Sequence, residues 1–396
     1  MPVERAASSR DIVLVSLLGF LMRLLWWAAP TDLGDSVEYL QLARSLVEHH
    51  FFSADGVTAS TFRPPLYPGV MAALAMAGWP SARAVLVVQE LLGVATVVAT
   101  YLIGRQYFER RVAVAAAVAL ACAPMTARFA SAIMTETLFS FFLMLGVLCW
   151  ARKWPWACGA MFGCAMLTRA VLLPFVALMG ASAFIARAPV RTFLRQACIA
   201  AVLVVAPWVA RNAIQTGRVT VADAGWAVNL YFGSVIVHAG SNPWTQLLDA
   251  ASRPDAASPN AVISGILRRP TRWLRARVSQ YPGLLLDAGG SLPTAANAVA
   301  FRTALARRAW PTLFFKAGFT LGNLAVAIAA GLGLWRARAR LQELAPLWTF
   351  PLYMMVAHVP MYVEPRYGLP LEPFLLLCAA SLLSTAEDAE RAPLPV

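Results

Sequence analysis

The chain has 396 residues, of which 59% are hydrophobic and only 13% are charged, and its net charge is +13. Soluble domains carry about 25% charged residues, so this composition excludes an ordinary soluble protein and predicts a polytopic membrane protein. The positive charge is nearly all arginine placed between apolar runs, which is typical of cytoplasmic loops and lipid headgroup contacts. We therefore expect membrane lipids and no nucleic acid as partners.

Ten apolar runs predict an all-α bundle of about ten membrane-spanning helices. The first run contains Arg23 and is followed by many others, so it is interpreted as an uncleaved span rather than a signal peptide. The segment 65–79 would form a helix of only about 22 Å against a hydrocarbon core of about 30 Å. This length favours a half-buried segment, and eleven spans is the alternative. The predicted spans are 12–29, 82–104, 112–127, 132–151, 154–168, 170–186, 196–210, 311–335, 341–359 and 367–384.

Clusters of basic residues predict the orientation of these spans, because such clusters stay in the cytoplasm. The chain then has one membrane domain over 1–384 and a short cytoplasmic tail over 385–396. The outer face holds a first loop, 30–81, with surface helices, and a long loop, 211–310, whose arginine-rich part is typical of amphipathic surface helices. The clusters are Arg105, Arg110 and Arg111; Arg152 and Lys153; Arg187, Arg191 and Arg195; and Arg336, Arg338 and Arg340.

The stretch "GDSVEYLQLARSL" places two carboxylates, Asp35 and Glu38, just after the first apolar run. Their spacing is that of a capping box at the start of a helix, which by itself explains both acids. A cap would also fix the carboxylates rigidly at the mouth of the bundle. Capping and a catalytic role are therefore compatible at this position.

Acids and arginines recur at the other predicted outer corners. Each residue alone is explained by anchoring at the membrane interface. Together they place bases and cations on one face of the membrane, as transfer from a phosphate-linked lipid donor requires. The residues are Arg63, which precedes two prolines, Arg128, Glu136, Arg169, Arg211, Asn212, Glu364, Arg366 and Tyr367.

Several stretches, in this order, resemble the GT-C glycosyltransferases, and most closely the bacterial branch similar to protein O-mannosyltransferases and the lipid A aminoarabinose transferase. The resemblance covers most of the chain, and its more specific elements are the "PWxxRNxxxxGR" pattern and the pair "DxxxYxxxA…RPPLYP". One departure is Ser36, where relatives often have glutamate after the first aspartate. The stretches are "GDSVEYLQLARSL", "FRPPLYPGVMAAL", "YLIGRQYFERRVAVAAAVALACAPM", "IMTETLFSFFLML", "GAMFGCAMLTRAVLLP", "APWVARNAIQTGRVTVADAGWAVNLYFG" and "EPRYGLPLEPFLLL".

The resemblance implies a GT-C-like fold and a multi-pass enzyme of the bacterial cytoplasmic membrane. Its active site would face the periplasm or exterior and transfer a hexose or pentose from a polyprenyl-phosphate donor to a lipid, glycan or protein. The expected catalytic acids are Asp35, as the base, and Glu136. The expected donor-phosphate ligands are Arg63, Arg211 and Arg366, and the expected substrate-binding residues are Glu38, Tyr39, Arg169, Asn212 and Tyr367.

Other readings stay open at this stage. No nucleotide-binding motif is visible, and no cofactor is certain, although the two acids could hold a divalent metal as in some relatives. A transporter or flippase of lipid-linked sugars is the alternative class, although such proteins tend to show internal repeats that this chain lacks. A surface-polysaccharide polymerase or ligase is a third possibility.

Two charged residues fall inside predicted spans, Arg23 in the first and Glu90 in the second. A charge inside a membrane span is expensive unless it is paired. We therefore expect Arg23 and Glu90 to form an ion pair that ties the two spans together.

Overall fold

The structure, a computed structural model, describes residues 7–27, 34–222, 230, 259–286 and 301–384. The predicted tail 385–396, the end of the first predicted span and much of the long loop 211–310 lie outside these residues. The α-helices are α1 Ser9–Trp26, α2 Gly34–His49, α3 Leu66–Met76, α4 Ala82–Tyr107, α5 Arg110–Ala121, α6 Pro124–Ala130, α7 Glu136–Ala151, α8 Pro155–Thr168, α9 Leu173–Ile185, α10 Ala188–Thr216, α11 Pro259–Arg268, α12 Pro270–Gln280, α13 Phe301–Ala306, α14 Trp310–Arg336, α15 Ala345–Ala357 and α16 Glu372–Ala380.

Among the described residues, four helical stretches are long and apolar enough to cross a membrane: α4, α10, α14 and the stretch Pro365–Leu383 that contains α16. The bent pair α5 and α6, which meet at 56°, would make a fifth if it forms one span. The all-α membrane architecture is thus confirmed, whereas the count of ten or eleven spans stays a prediction. Helix α3 measures about 16 Å, too short to cross the hydrocarbon core.

The chain divides into two compact units. The first consists of residues 1–222, 326–349 and 369–396, and the second of residues 223–325 and 350–368. Most of the predicted site residues belong to the first unit, whereas Arg366 and Tyr367 belong to the second.

Helices α8 and α10 of the first unit pack at close range through a pair of glycines one turn apart. A Cβ atom on Gly159 would lie 1.9 Å from the carbonyl oxygen of Ala197, and one on Gly163 would lie 2.7 Å from Cβ of Val204. Small residues at this spacing let two membrane helices approach closely enough for dense van der Waals packing. This contact fixes the position of α8, and Arg169 is the residue directly after that helix.

Helix α1 is fastened to its neighbours near both ends. At one end, the buried carboxylate of Asp11 accepts hydrogen bonds from Arg110, at 2.6 and 2.7 Å, and from the hydroxyl of Tyr101, at 2.9 Å. At the other end, Nε of Arg23 lies 3.9 Å from a carboxylate oxygen of Glu90, and both side chains are almost fully buried. The predicted pairing of Arg23 with Glu90 is confirmed, whereas a membrane span at α1 stays a prediction.

Candidate active site

The centre of the candidate site is the guanidinium of Arg63, which is held between two carboxylates of α2. Its Nε donates to Glu38 at 2.8 Å and its Nη2 donates to Asp35 at 2.9 Å. Helix α2 begins at Gly34, so Asp35 lies within the first turn and is not the N-cap that its spacing suggested. Both acids lie near the positive end of the helix dipole, and Arg63 draws them toward the same point.

The electrostatic balance of this cluster keeps Arg63 charged. Although burial alone lowers the pKa of Arg63, the anionic groups around it raise that pKa above its usual value. Burial raises the pKa of Glu38, and the nearby Arg63 opposes the increase. Two carboxylates and one guanidinium give the cluster a net charge of about −1 when both acids are ionised.

Tyr39 connects this cluster with a second one. The guanidinium of Arg63 lies 5.3 Å from the centre of the Tyr39 ring, a favourable cation–π arrangement. Tyr39 also packs nearly perpendicular to Tyr67, with ring centres 5.1 Å apart. Burial raises the pKa of Tyr39, which also lies within electrostatic reach of Glu136 and Arg169. The predicted substrate-binding tyrosine therefore stands between two acid–arginine pairs.

The second pair joins Glu136, the first residue of α7, to Arg169, which follows α8. Nη1 of Arg169 donates to Glu136 at 2.6 Å, and the Glu136 side chain is almost fully buried. The same nitrogen lies 3.3 Å from the hydroxyl oxygen of Thr135. The structure thus places six of the predicted site residues in one region: Asp35, Glu38, Tyr39, Arg63, Glu136 and Arg169. Ser36 of α2 reaches the turn before Glu136, and Tyr39 lies within electrostatic reach of the second pair.

The turn before Glu136 is held by polar residues that the sequence analysis did not assign to the site. Gln89 of α4 donates to the carbonyls of Ala130 and Ala132, at 2.8 and 2.7 Å. It also accepts from the Tyr67 hydroxyl at 2.6 Å. From the other side, Ser36 donates to the carbonyl of Ile133 at 2.9 Å. The sequence does contain a signal for this role, because the polar dipeptide Gln89-Glu90 interrupts an apolar run.

The substitution Gln89→Leu should lower the free energy of unfolding by about 1–3 kcal/mol for each partner left unsatisfied. The leucine fills a similar volume but leaves the buried Tyr67 hydroxyl and two carbonyls without their amide partner. Thermal unfolding in detergent measures the effect, and Gln41→Leu, on the exposed side of α2, is the matched control. Equal unfolding temperatures for the two variants would contradict this role for Gln89.

Arg211 and Asn212 lie at the end of α10, where they bind loop backbone. Arg211 donates to the carbonyl of Ser60 at 2.8 Å and to that of Phe52 at 3.0 Å, and its guanidinium lies 4.8 Å from the centre of the Trp208 ring. The fully buried Asn212 donates to the carbonyl of Thr220 at 2.9 Å. Both residues therefore shape the loops next to the site, and a phosphate contact by Arg211 stays a prediction.

The substitution Arg211→Gln should loosen the loop that leads into Arg63, because a shorter side chain cannot reach both carbonyls. Hydrogen bonds from a charged donor contribute about 1.5–3 kcal/mol, so proteolytic cleavage within residues 53–60 should become at least about tenfold faster. Limited proteolysis measures this, with Arg83→Gln at an exposed position as the control. A cleavage rate equal to that of the control would show that the loop is held by other contacts.

The remaining two predicted residues belong to the second unit. Arg366 donates to the carboxylate of Glu364, and its guanidinium lies 5.7 Å from the centre of the Tyr367 ring. The buried Tyr367 also packs against His358 at 5.7 Å between ring centres. Their roles toward donor and substrate stay predictions.

Few side chains that could bind a metal ion lie close together in the described ranges. These ranges contain no group of three or more acidic, histidine or cysteine side chains arranged to hold a metal ion. Of the two acids expected to hold a metal, Asp35 binds Arg63 and Glu136 binds Arg169. A divalent metal between them stays a prediction.

One family of known proteins matches part of this chain in sequence. A sequence model of the family described as dolichyl-phosphate-mannose-protein mannosyltransferase matches residues 63–210, less than half of the chain. That range contains Arg63, Glu136 and Arg169. No curated protein sequence gives a significant match.

Solved structures show the fold. The Archaeoglobus fulgidus oligosaccharyltransferase in complex with Zn and sulfate has a TM-score of 0.53 and 15% identity, over 94% of this chain and 48% of that one. Its apo form gives 0.53 and 14%, over 94% and 50%, so this chain spans about half the length of the archaeal enzyme. ArnT from Cupriavidus metallidurans in the apo state gives 0.46 and 14%, over 95% and 77%, a score too low to support an inference.

The family match and the shared fold confirm the resemblance to the GT-C glycosyltransferases. The fold of this chain is GT-C-like, and the protein is a membrane protein. Identities of about 15% establish the architecture and leave the activity to be argued from the site.

Proposed function

We propose that this protein is a glycosyltransferase that moves a hexose or pentose from a polyprenyl-phosphate carrier to an acceptor on the outer face of a bacterial cytoplasmic membrane. The acceptor is a lipid, a glycan or a protein. The observation that carries the proposal is the binding of Arg63 by Asp35 and Glu38, beside the pair of Glu136 and Arg169. The matching family is described by dolichyl-phosphate-mannose, which is a polyprenyl-phosphate sugar.

The proposed reaction is a single displacement at the anomeric carbon. An acceptor hydroxyl attacks this carbon, and its proton passes to the carboxylate of Asp35. The bond between the anomeric carbon and the phosphate oxygen breaks, and the polyprenyl phosphate leaves with the bonding electrons. The product has inverted stereochemistry. A positioned base of this kind contributes about 10²–10⁴-fold to the rate.

The charges of the cluster suggest how donor binding prepares the base. Arg63 donates from Nε to Glu38 and from Nη2 to Asp35. A phosphate that binds across the Nη1 and Nη2 edge of the guanidinium therefore competes with Asp35 and not with Glu38. We propose that the donor phosphate takes the Nη2 side of Arg63, while Glu38 keeps the Nε side. Asp35 is then released from its cation at the moment when it must accept a proton.

The other residues have supporting roles in this proposal. Tyr39 and Arg169 form the wall next to the reacting sugar, and Glu136 holds Arg169 in place. Arg211 and Asn212 act as positioning residues through the loops that they bind, rather than as first contacts of the phosphate. The proposal keeps Arg366 as a ligand of the donor phosphate and Tyr367 as a substrate-binding residue.

Sugar transfer in membranes tests this function. Membranes that contain the protein receive polyprenyl-phosphate-linked radiolabelled sugars, and label is followed into lipid, glycan and protein fractions. Transfer that depends on the protein would support the proposal and identify the acceptor class. Movement of the labelled donor across the bilayer without any transfer would contradict the proposed enzyme activity and support a flippase instead.

A further inference from the structure

Helices α11 and α12 of the second unit carry a concentrated positive charge. Residues 259–286 contain five arginines and no acidic residue. Four of the arginines are exposed: Arg268, Arg269, Arg272 and Arg275. The described part of the chain provides no ion-pair partner for these four guanidinium groups. Four cations within eight positions, without an acidic partner among the described residues, favour an anionic ligand that offsets their mutual repulsion.

Apolar side chains accompany the cations on the same two helices. Ile263 and Leu267 of α11, and Leu274 and Val278 of α12, are each more than half exposed. In both helices the two residues are four positions apart, so they share a face. Helix α12 has only 11 residues, too few to cross a membrane. A short helix with exposed arginines beside an apolar face is typical of the membrane interface.

The opposite side of α12 is fixed within the second unit. Arg277 is only 4% exposed, and its guanidinium donates to the carbonyl of Met361 and to Gln280. The Tyr281 hydroxyl donates to the carbonyl of Met355 at 2.6 Å. These contacts determine which residues of α12 face outward, since Arg272 and Arg275 lie on the side of the helix away from Arg277.

We propose that α11 and α12 form a binding surface for anionic phospholipid headgroups. The arginines bind the headgroup phosphates, and the apolar residues insert among the acyl chains near the headgroups. A soluble anionic polymer would satisfy the charges but would leave Ile263, Leu267, Leu274 and Val278 in water. A lipid surface satisfies both features. This inference does not depend on the proposed enzymatic activity.

Hydrogen exchange of the full-length protein in lipid nanodiscs tests the surface. Peptides that cover 259–286 are compared in discs of phosphatidylcholine alone and in discs that also contain phosphatidylglycerol. Exchange of these peptides should be about tenfold slower with the anionic lipid, and high salt should remove the difference because it screens the charges. Equal exchange in the two kinds of disc would overturn the proposal.

Variants separate this surface from a general effect of charge. The double substitution Arg272→Glu and Arg275→Glu should abolish the lipid-dependent protection. The matched control, Arg307→Glu and Arg308→Glu, reverses two exposed arginines next to α13 and should retain it. Protection that persists in the first variant, or that dextran sulfate produces equally in phosphatidylcholine discs, would refute the lipid site. The wild-type salt and lipid dependence remains decisive if a variant does not fold.

Discussion

The variant Asp35→Asn should transfer sugar about 10²–10⁴-fold more slowly than the wild type, with its fold preserved. Asparagine keeps an oxygen that can accept from Nη2 of Arg63, and Arg63 keeps its second partner, Glu38. The cost to the free energy of unfolding should therefore be about 1 kcal/mol. The amide cannot accept the proton of the acceptor hydroxyl, so the substitution should lower kcat.

The comparison that decides the role of Asp35 uses two other acids of α2. Glu48→Gln removes an exposed carboxylate whose partner is Arg44, and it should leave transfer unchanged. Glu38→Gln should raise the KM for the donor more than it lowers kcat, because Glu38 positions the guanidinium of Arg63 and does not accept the proton. Initial rates in reconstituted membranes measure all three variants. Near-normal turnover of Asp35→Asn would remove Asp35 from the mechanism.

Charge patterns in the sequence indicated which residues would lie close together. Asp35 and Arg63 are 28 positions apart in one predicted outer loop, and the structure places the two side chains 2.9 Å apart, whereas their roles stay predictions. The pairing of Arg23 with Glu90 followed from the cost of an isolated charge inside a span. Charge restricts partners strongly, since an uncompensated ion in an apolar environment is expensive.

Contacts between side chains and backbone carbonyls could not be predicted from the charge pattern of the sequence. Arg211 binds the carbonyls of Phe52 and Ser60, and Gln89 binds those of Ala130 and Ala132. Every residue has a carbonyl, so residue type does not reveal which one a side chain will reach. Asp35 lies within the helix rather than at its N-cap, because sequence signals place helix ends only to within a residue or two.

Removal of Arg23 should have a large effect on stability. Arg23→Leu leaves the carboxylate of Glu90 buried without its cation, which typically costs about 3–5 kcal/mol. Glu90 would then keep one hydrogen bond from Ser131, at 2.8 Å, and the electrostatic effect of Arg128. The reverse substitution, Glu90→Leu, should cost a similar amount, because Glu372 likewise acts electrostatically on Arg23, which stays charged. Thermal unfolding in detergent micelles should therefore place both single variants well below the wild type.

The double variant shows whether the two residues act as a pair. Replacing both Arg23 and Glu90 with leucine removes the uncompensated charge, so its cost should be smaller than that of Arg23→Leu alone. Exchanging the two residues should rescue stability only in part. Nε of Arg23 occupies space that is open only because position 93 is glycine: a Cβ atom there would lie 2.5 Å from Nε. The exposed pair Arg44 and Glu48 is the matched control, and its loss should cost no more than about 1 kcal/mol. Additive losses in the buried double variant would mean that Arg23 and Glu90 contribute to the fold independently.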